Sequence, residues 1–347
     1  MDSPDSTTPT ISVVVPVYNS AGSLRELISR LRAVLDQVAS CSEIILVNDG
    51  SRDDSWAVIC QLMAVHGSVR GIDLMRNYGQ HNALLCGIRQ ARYEITVTLD
   101  DDLQHPPEML PLLLAQLARG CDVVYGTPIG ERHDMWRVFA SRITKLALQS
   151  SMGAEVASAV SAFRAFRTQL RDAFDDYHGP FVSIDVLLTW GTTRFGSVPV
   201  RHEPRRIGVS NYTLRKLLVH AANMITGFST VPLQIATLTG FLSTLFGIVV
   251  LFYVLARYLI ENSSPPGFPF LASVIAIFSG AQLFALGTIG EYLARMHFRM
   301  MEKPAYVVRS ARVATVAASD DAADDVPVPA ADAAMIPGAD DGSVRAA

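Results

Sequence analysis

Thr98-Leu99-Asp100-Asp101-Asp102-Leu103-Gln104 is the stretch from which the fold can be read. Before it, Tyr93–Leu99 has the composition of a short buried strand. After it, Pro106-Pro107 stands where a new helix can begin. Asp100 and Asp102 are two residues apart, and the Gln104 amide lies two further on. Hard oxygen ligands this close suit Mg²⁺ or Mn²⁺, whose shells substrate phosphates usually complete. A solvated acidic loop is the plain alternative for any D-x-D triplet. The placement favours a ligand, because α/β sheets bind at the carboxyl ends of their strands.

Working outward, Ile11–Gly126 alternates short apolar runs with helical spacing. Ile11–Val15 is a β-branched run ending at Pro16-Val17-Tyr18-Asn19. Leu24, Leu27, Ile28, Leu31, Val34 and Leu35 recur as one helix face within Ser23–Val38. Glu43–Val47 is a second strand, stopped by the turn cluster Asn48-Asp49-Gly50-Ser51, where Ser51 or Asp53 can cap the next helix. Gly71–Met75 is a third, followed by Arg76-Asn77-Tyr78-Gly79-Gln80 and a helix over 81–90. After Tyr93–Leu99 come a helix over Glu108–Leu117 and a fifth strand, Asp122–Tyr125. This βαβαβαβαβ order predicts a mostly parallel sheet with helices on both faces and polar clusters lining one crevice.

Length and composition narrow the classes. The chain has 347 residues, half of them apolar, and a net charge of −4, so no basic field points to nucleic acid. Cys41, Cys60, Cys86 and Cys121 include no C-x-x-C pair, which removes a zinc signature or disulfide framework. Met1–Pro9 is polar, unlike a secretory signal. Neither G-x-G-x-x-G after the first strand nor G-x-x-x-x-G-K-[ST] occurs, which disfavours dinucleotide and P-loop folds. A nucleoside diphosphate bridged by a metal at Asp100 and Asp102 remains. Asp49 can accept from a base N–H, and Tyr18 can close over the base. Tyr18 and Asn19 alone also suit an ordinary strand-end turn.

Taken in order, Pro16-Val17-Tyr18-Asn19, Val47-Asn48-Asp49-Gly50-Ser51, Arg76-Asn77-Tyr78-Gly79-Gln80-His81-Asn82-Ala83 and Asp100-x-Asp102-Leu103-Gln104-x-Pro106-Pro107-Glu108 resemble the GT-A family 2 glycosyltransferases. The branch they resemble transfers sugars to polyprenyl phosphates. It includes dolichyl-phosphate mannose synthases, bactoprenol glucosyltransferases and undecaprenyl-phosphate aminoarabinose transferases. The likeness runs from Ile11 to about Val308. It implies a GT-A catalytic domain over 11–212 and a nucleotide-sugar site of Pro16, Tyr18, Asn19, Asp49, Arg76, Gly79, Asp100 and Asp101. It also implies a metal held by Asp100, Asp102 and Gln104. Relatives usually carry Asp where this chain has Asn48, and with Asp49 retained a small effect is expected.

The second substrate falls to later segments. Arg132, Arg137 and Arg142 punctuate an amphipathic helix, with Ser141 one turn after Arg137. Arginines and a hydroxyl on one face suit phosphate, though the bare pattern by itself favours a solvated helix face. The resemblance places Arg137 and Ser141 on the acceptor phosphate, with Arg132 nearby, and Arg205 and Ser210 in a second phosphate grip within Arg205-Arg206-Ile207-Gly208-Val209-Ser210-Asn211-Tyr212. Membrane-surface attraction is the plain alternative for that basic loop. Ser161-Ala162-Phe163-Arg164 is similar to the family's S-G-F-R turn, while Ser158 stands where many relatives have Asp. A base at that point is dispensable: a phosphate monoester is largely dianionic at neutral pH. Asp102, Arg137 and Arg205 are thus expected to carry catalysis by positioning and charge neutralisation. Sugar choice is expected from residues after Gly126 and around Trp190-Gly191.

Thr213–Phe228 reads as an interfacial amphipathic helix within 213–230. Leu233–Ala256 and Phe268–Gly290 are free of charge and long enough to cross about 30 Å of hydrocarbon, giving a two-helix hairpin over 231–292. Arg215 and Lys216 precede the first, and Arg295, Arg299 and Lys303 follow the second. Both flanks and both termini should therefore face the cytoplasm at the cell (inner) membrane. A basic segment is read at 293–312 and a disordered acidic tail at 313–347 after the polar start 1–10. The expected activity is inverting, metal-dependent transfer from a UDP- or GDP-sugar to undecaprenyl, decaprenyl or dolichyl phosphate. A processive polysaccharide synthase would add a Q-x-x-R-W-type motif and more spans. A non-catalytic scaffold would not need the acidic triplet. Relatives of this branch are often homo-oligomers, which is analogy.

Overall fold

The computed structural model describes residues 8–129, 160–179, 182–203, 231–261, 267–301 and 303–313. The β-branched first run forms β1 (Thr10–Val17), whose side chains alternate between two cores. Val13 and Val15 face one hydrophobic cluster and Val14 the other. In β2 (Cys41–Asn48), Ile44 and Leu46 join the first cluster, and Ile45 and Val47 the second. Helix α1 (Leu24–Val38) buries Leu24, Leu27, Ile28, Leu31, Val34 and Leu35, the six residues picked out by helical spacing. With α2 (Ser55–Val65) and α4 (Leu110–Ala118) it covers the first face. On the second face lie α3 (Gln80–Arg89) and α5 (Ile184–Gly191).

Strands β1 to β8 form one sheet of order β7-β5-β6-β4-β1-β2-β3-β8. Here β3 is Val69–Leu74, β4 Ile95–Thr98, β5 Val123–Pro128, β6 Arg164–Arg167, β7 Phe195–Val200 and β8 Val308–Val313. β1 runs parallel to β2 and β4, β2 to β3, and β5 to β7. Two strands run against this grain. β6 inserts antiparallel between β4 and β5, and β8 closes the other edge antiparallel to β3. The sheet is therefore mixed and mostly parallel, and β5 is not the direct neighbour of β4. The four residues of β6 show no period of their own, and only Arg164 overlaps the Ser161-Ala162-Phe163-Arg164 stretch expected as a turn. β8 falls in the stretch read as a basic segment, since two arginines interrupt Val308-Arg309-Ser310-Ala311-Arg312-Val313.

After β7 come two long helices, α6 (Val231–Glu261) and α7 (Gly267–Met300). They pack together at Gly247, where a Cβ would lie 2.5 Å from Phe278 Cζ. Among the described residues one stretch, Leu233–Ala256 in α6, is long and apolar enough to cross a membrane, and most of its large apolar side chains are exposed. The expected second span, 268–290, lies within α7. The arginine helix from 131, the loop and interfacial helix of 204–230, and the tail beyond 313 lie outside the described residues.

Candidate functional site

The carboxyl edge of β1, β2, β3 and β4 is bound together by short polar turns. Asn19 takes a positive φ of 54° as the chain leaves β1, and Asn tolerates this region better than most residues. Its N–H donates to Ser51 Oγ at 3.0 Å, and its Oδ1 accepts from Arg52 N–H at 2.8 Å. The next two N–H groups, of Ser20 and Ala21, donate to Ser55 Oγ and Asp53 Oδ2 at 2.9 and 3.1 Å. Burial works to raise the Asp53 carboxyl, but the Ser55 hydroxyl and the N–H groups of Ala21 and Ser55 outweigh it and hold it below its usual range. Tyr18, half-exposed, donates its N–H to Asp101 Oδ2 at 3.1 Å, which joins the β1 turn to the acidic triplet. Pro16 lies back inside β1, buried opposite Val47.

Asp49 is buried at 2 % exposure and holds the loop after β3. Its Oδ1 accepts from Tyr78 N–H at 2.7 Å and its Oδ2 from Gly79 N–H at 2.8 Å. Burial pushes its carboxyl up, against the pull of those two bonds. A carboxylate has about four acceptor positions, so Asp49 keeps capacity for a further donor. The loop fits because Gly79 sits at φ 96° and Gly50 at φ 64°. A Cβ on Gly50 would lie 2.5 Å from Asn77 N. Arg76 stacks over Tyr78 at 4.6 Å and is exposed.

Within the triplet, Asp100 Oδ1 accepts from Gln80 Nε2 at 2.6 Å, and Asp102 Oδ1 from Gln104 N–H at 3.1 Å. Leu103 turns the chain at φ 60° and buries its side chain. The exit is clamped by Arg30 of α1, which donates to both Glu108 oxygens at 2.8 Å. This contact draws the Glu108 carboxyl below its ordinary range. The Gln104 carbonyl accepts from Glu203 N–H at 2.9 Å, drawing in the segment after β7. Among the described residues no group of three or more His, Cys, Asp or Glu side chains is arranged to hold a metal ion.

Of the residues expected to bind a nucleotide-sugar, Tyr18, Asn19, Asp49, Gly79, Asp100 and Asp101 thus meet along one edge. Arg132, Arg137, Ser141, Arg205 and Ser210 lie outside the described residues. Arg164 turns inward instead: its guanidinium pairs with buried Asp185, which also accepts from Tyr125 O–H at 3.1 Å. Trp190-Gly191 stands at the other end of the domain. β6 descends antiparallel to β4, so the 3-10 segment Thr168–Ala173 that follows it lies at the amino edge. A Cβ on Gly191 would lie 2.9 Å from Leu170 of that segment. Trp190, Tyr177, Asp172 and Asp176 line a cavity of about 420 Å³ there. The structure therefore moves this pair away from the crevice, correcting the expectation that it selects the sugar. Gln80, Ser51 and Asp73 escaped attention as individual site residues; Gln80 and Ser51 lie inside the quoted motifs, and for Asp73 no spacing signalled its role.

Fold and edge together define an α/β protein whose carboxyl-edge crevice is built from glycine and carboxylate turns. The model of the family described as "Glycosyl transferase family 2" matches residues 12–177. The undecaprenyl-phosphate 4-deoxy-4-formamido-L-arabinose transferase of Sodalis glossinidius (strain morsitans) is 35% identical over 303 residues, covering 86% of this chain and 93% of that one. The enzyme of the same name from Pseudomonas aeruginosa (strain LESB58) is 35% identical over 312 residues, covering 89% and 92%. Among solved structures, glucosyl-3-phosphoglycerate synthase from Mycobacterium tuberculosis, with Mn²⁺, uridine diphosphate and glucosyl-3-phosphoglycerate, overlaps with a TM-score of 0.47 at 20% identity. That overlap covers 65% of this chain and 84% of the other. The chain belongs to the family 2 glycosyltransferases and carries their GT-A fold.

Proposed function

We propose that this glycosyltransferase moves a sugar from a UDP- or GDP-sugar to the phosphate of a polyprenyl lipid, undecaprenyl phosphate by preference, at the cytoplasmic face of a membrane. One observation carries the reading. The chain aligns along nearly its whole folded length with transferases named for undecaprenyl phosphate, and its crevice turns belong to the same chain as an exposed apolar helix. Asp49, Tyr18 and Asn19 would receive the base, and the Gly50 and Gly79 turns leave backbone close to it. Asp100, Asp102 and the Gln104 amide would hold Mg²⁺ or Mn²⁺. The donor types suit such an ion, because two carboxylates and an amide oxygen that follow β4 at the carboxyl edge are hard oxygen donors, and diphosphate oxygens would complete the shell. Such an ion would neutralise the charge of the departing diphosphate.

Arg137, Ser141, Arg205, Ser210 and Arg132 would grip the acceptor phosphate. Its dianion attacks the anomeric carbon in line as the nucleoside diphosphate leaves, inverting that centre. The residues then contribute positioning rather than proton transfer. Leu233–Ala256 would span about 36 Å at 1.5 Å per residue, and 268–290 would return. That β7 precedes α6 and β8 follows α7 in one sheet supports a hairpin that leaves from and comes back to the same side of the membrane. The test is transfer of radiolabel from UDP- and GDP-sugars to undecaprenyl phosphate by the detergent-solubilised chain, with Mg²⁺, Mn²⁺ or chelator. Metal-dependent lipid labelling that Asp102→Ala abolishes supports the proposal. Labelling that is untouched by chelator and by Asp102→Ala overturns the metal site, and no labelling with any donor overturns the activity.

A further inference from the structure

The strand that follows the long helices is wired into the nucleotide edge. Arg309 of β8 donates from Nη2 to the Met75 carbonyl at 2.9 Å, and its Nη1 lies 3.3 Å from Asp73 Oδ2. Met75 N–H in turn donates to the Val307 carbonyl at 2.9 Å. Met75 is the root of the 76–79 loop that Asp49 holds, so both its backbone groups are fixed by residues 307 and 309. Asp73, buried, accepts on Oδ1 from Asn48 Nδ2 at 2.7 Å, and Asn48 Oδ1 accepts from Ser51 N–H at 3.3 Å. Ser51 Oγ receives Asn19 N–H. A continuous polar chain thus crosses the sheet edge from Arg309 through Asp73, Asn48 and Ser51 to the turn carrying Tyr18.

This chain also accounts for Asn48. An amide donates to Asp73 and accepts from Ser51 at once, whereas Asp at 48 would face Asp73 as a second carboxylate. We propose that Arg309, Asp73 and Asn48 are positioning residues for the nucleotide pocket, so that the segment after α7 helps to set donor binding. The inference rests on the donor site proposed above.

The probes are UDP and GDP, each with Mn²⁺, titrated calorimetrically into the detergent-solubilised full chain, with undecaprenyl phosphate affinity measured alongside. Arg309→Ala should weaken nucleotide binding about two- to fivefold, as expected for an ion pair whose arginine is exposed. Undecaprenyl phosphate affinity should stay unchanged, and Arg309→Lys should recover part of the nucleotide loss. Asn48→Asp should weaken nucleotide binding about tenfold or more. Adding Asp73→Asn to that variant restores one amide–carboxylate bond in the reverse sense and should bring affinity back to within about threefold of the parent. Parent binding with unchanged Arg309→Ala and Asn48→Asp variants overturns this inference and leaves the donor site standing. So does an Asn48→Asp/Asp73→Asn protein no better than Asn48→Asp, or parallel loss of nucleotide and lipid in Arg309→Ala. A parent that binds neither nucleotide overturns the donor site itself, and the inference with it.

Discussion

Asp49→Asn separates what a buried charge does for folding from what it does for a ligand. Asp49 is 2 % exposed, and two backbone N–H groups meet it at 2.7 and 2.8 Å. Burial nonetheless wins, and its carboxyl is raised above the ordinary value. For an acid so shifted, the favourable contribution is present at low pH and is lost as pH rises through the folded pKa. At neutral pH the ionised carboxylate is therefore a net cost to folding. Asparagine removes that cost but turns one acceptor into a donor, leaving the N–H of Tyr78 or Gly79 unmatched at about 1–3 kcal/mol. The two changes oppose each other, so the melting temperature should move by no more than about 5 °C. A bond from a base N–H to the carboxylate is worth about 1.5–3 kcal/mol. Its loss should raise the dissociation constant for UDP with Mn²⁺ by about ten- to a hundredfold. Calorimetry and tryptophan-fluorescence melting on the detergent-solubilised chain measure both. An unchanged dissociation constant would refute Asp49 as a donor-site group, and a fall in melting temperature beyond about 10 °C would refute the claim that burial dominates.

Other perturbations probe the frame around the crevice. At the amino edge, Glu43 accepts from Ser12, Arg92 N–H and Arg70 at 2.7, 2.8 and 2.7 Å. Glu43→Gln leaves the buried Arg70 guanidinium without its counter-charge, and should cost about 3 kcal/mol or more in thermal or denaturant unfolding. Gly79→Ala meets no neighbouring atom but must hold φ 96°, so it should cost about 1–2 kcal/mol and weaken UDP binding by loosening the bond to Asp49. At Asp122, burial alone would raise the carboxyl. Thr192 at 2.6 Å, Arg194 at 2.9 Å through two bonds, and Arg167 outweigh it and hold it low. Stability from this group is present at neutral pH and lost as pH falls through the depressed value, below about pH 4. Melting of Asp122→Asn should accordingly fall less steeply than the parent between about pH 5 and 3.

The parallel half of the sheet was legible because each strand there is bracketed by its own punctuation. Ile11–Val15 ends in Tyr18-Asn19, Glu43–Val47 in Asp49-Gly50, and the acidic triplet ends the strand before Pro106-Pro107; every one of these turns lies on the carboxyl edge. A run of buried apolar residues followed by turn residues needs only local information. β6 and β8 need more. Each is short, each contains two arginines, and each is a strand only because a neighbour offers an unpaired edge: β4 and β5 for β6, β3 for β8. Nothing in Arg164-Ala165-Phe166-Arg167 announces that Arg164 will be buried against Asp185, which lies 21 residues on.

The same distinction governs the site. Motif order marked Tyr18, Asn19, Asp49, Gly79 and the aspartates as neighbours, since each ends or follows a parallel strand. It did not reveal that Asp49 spends two of its acceptor positions on the loop after β3, because bonding to a backbone N–H leaves no trace in residue type. The departure at Asn48 looked minor for a related reason. Its effect depends on Asp73, 25 residues away, and on Arg309, a further 236 residues beyond Asp73. A one-atom change from carboxylate oxygen to amide nitrogen is small in the sequence. Facing a buried carboxylate at 2.7 Å, it decides whether the contact is a hydrogen bond or a repulsion between like charges. Residue 48 therefore has to be read together with residues 73 and 309, and only the closed sheet brings the three together.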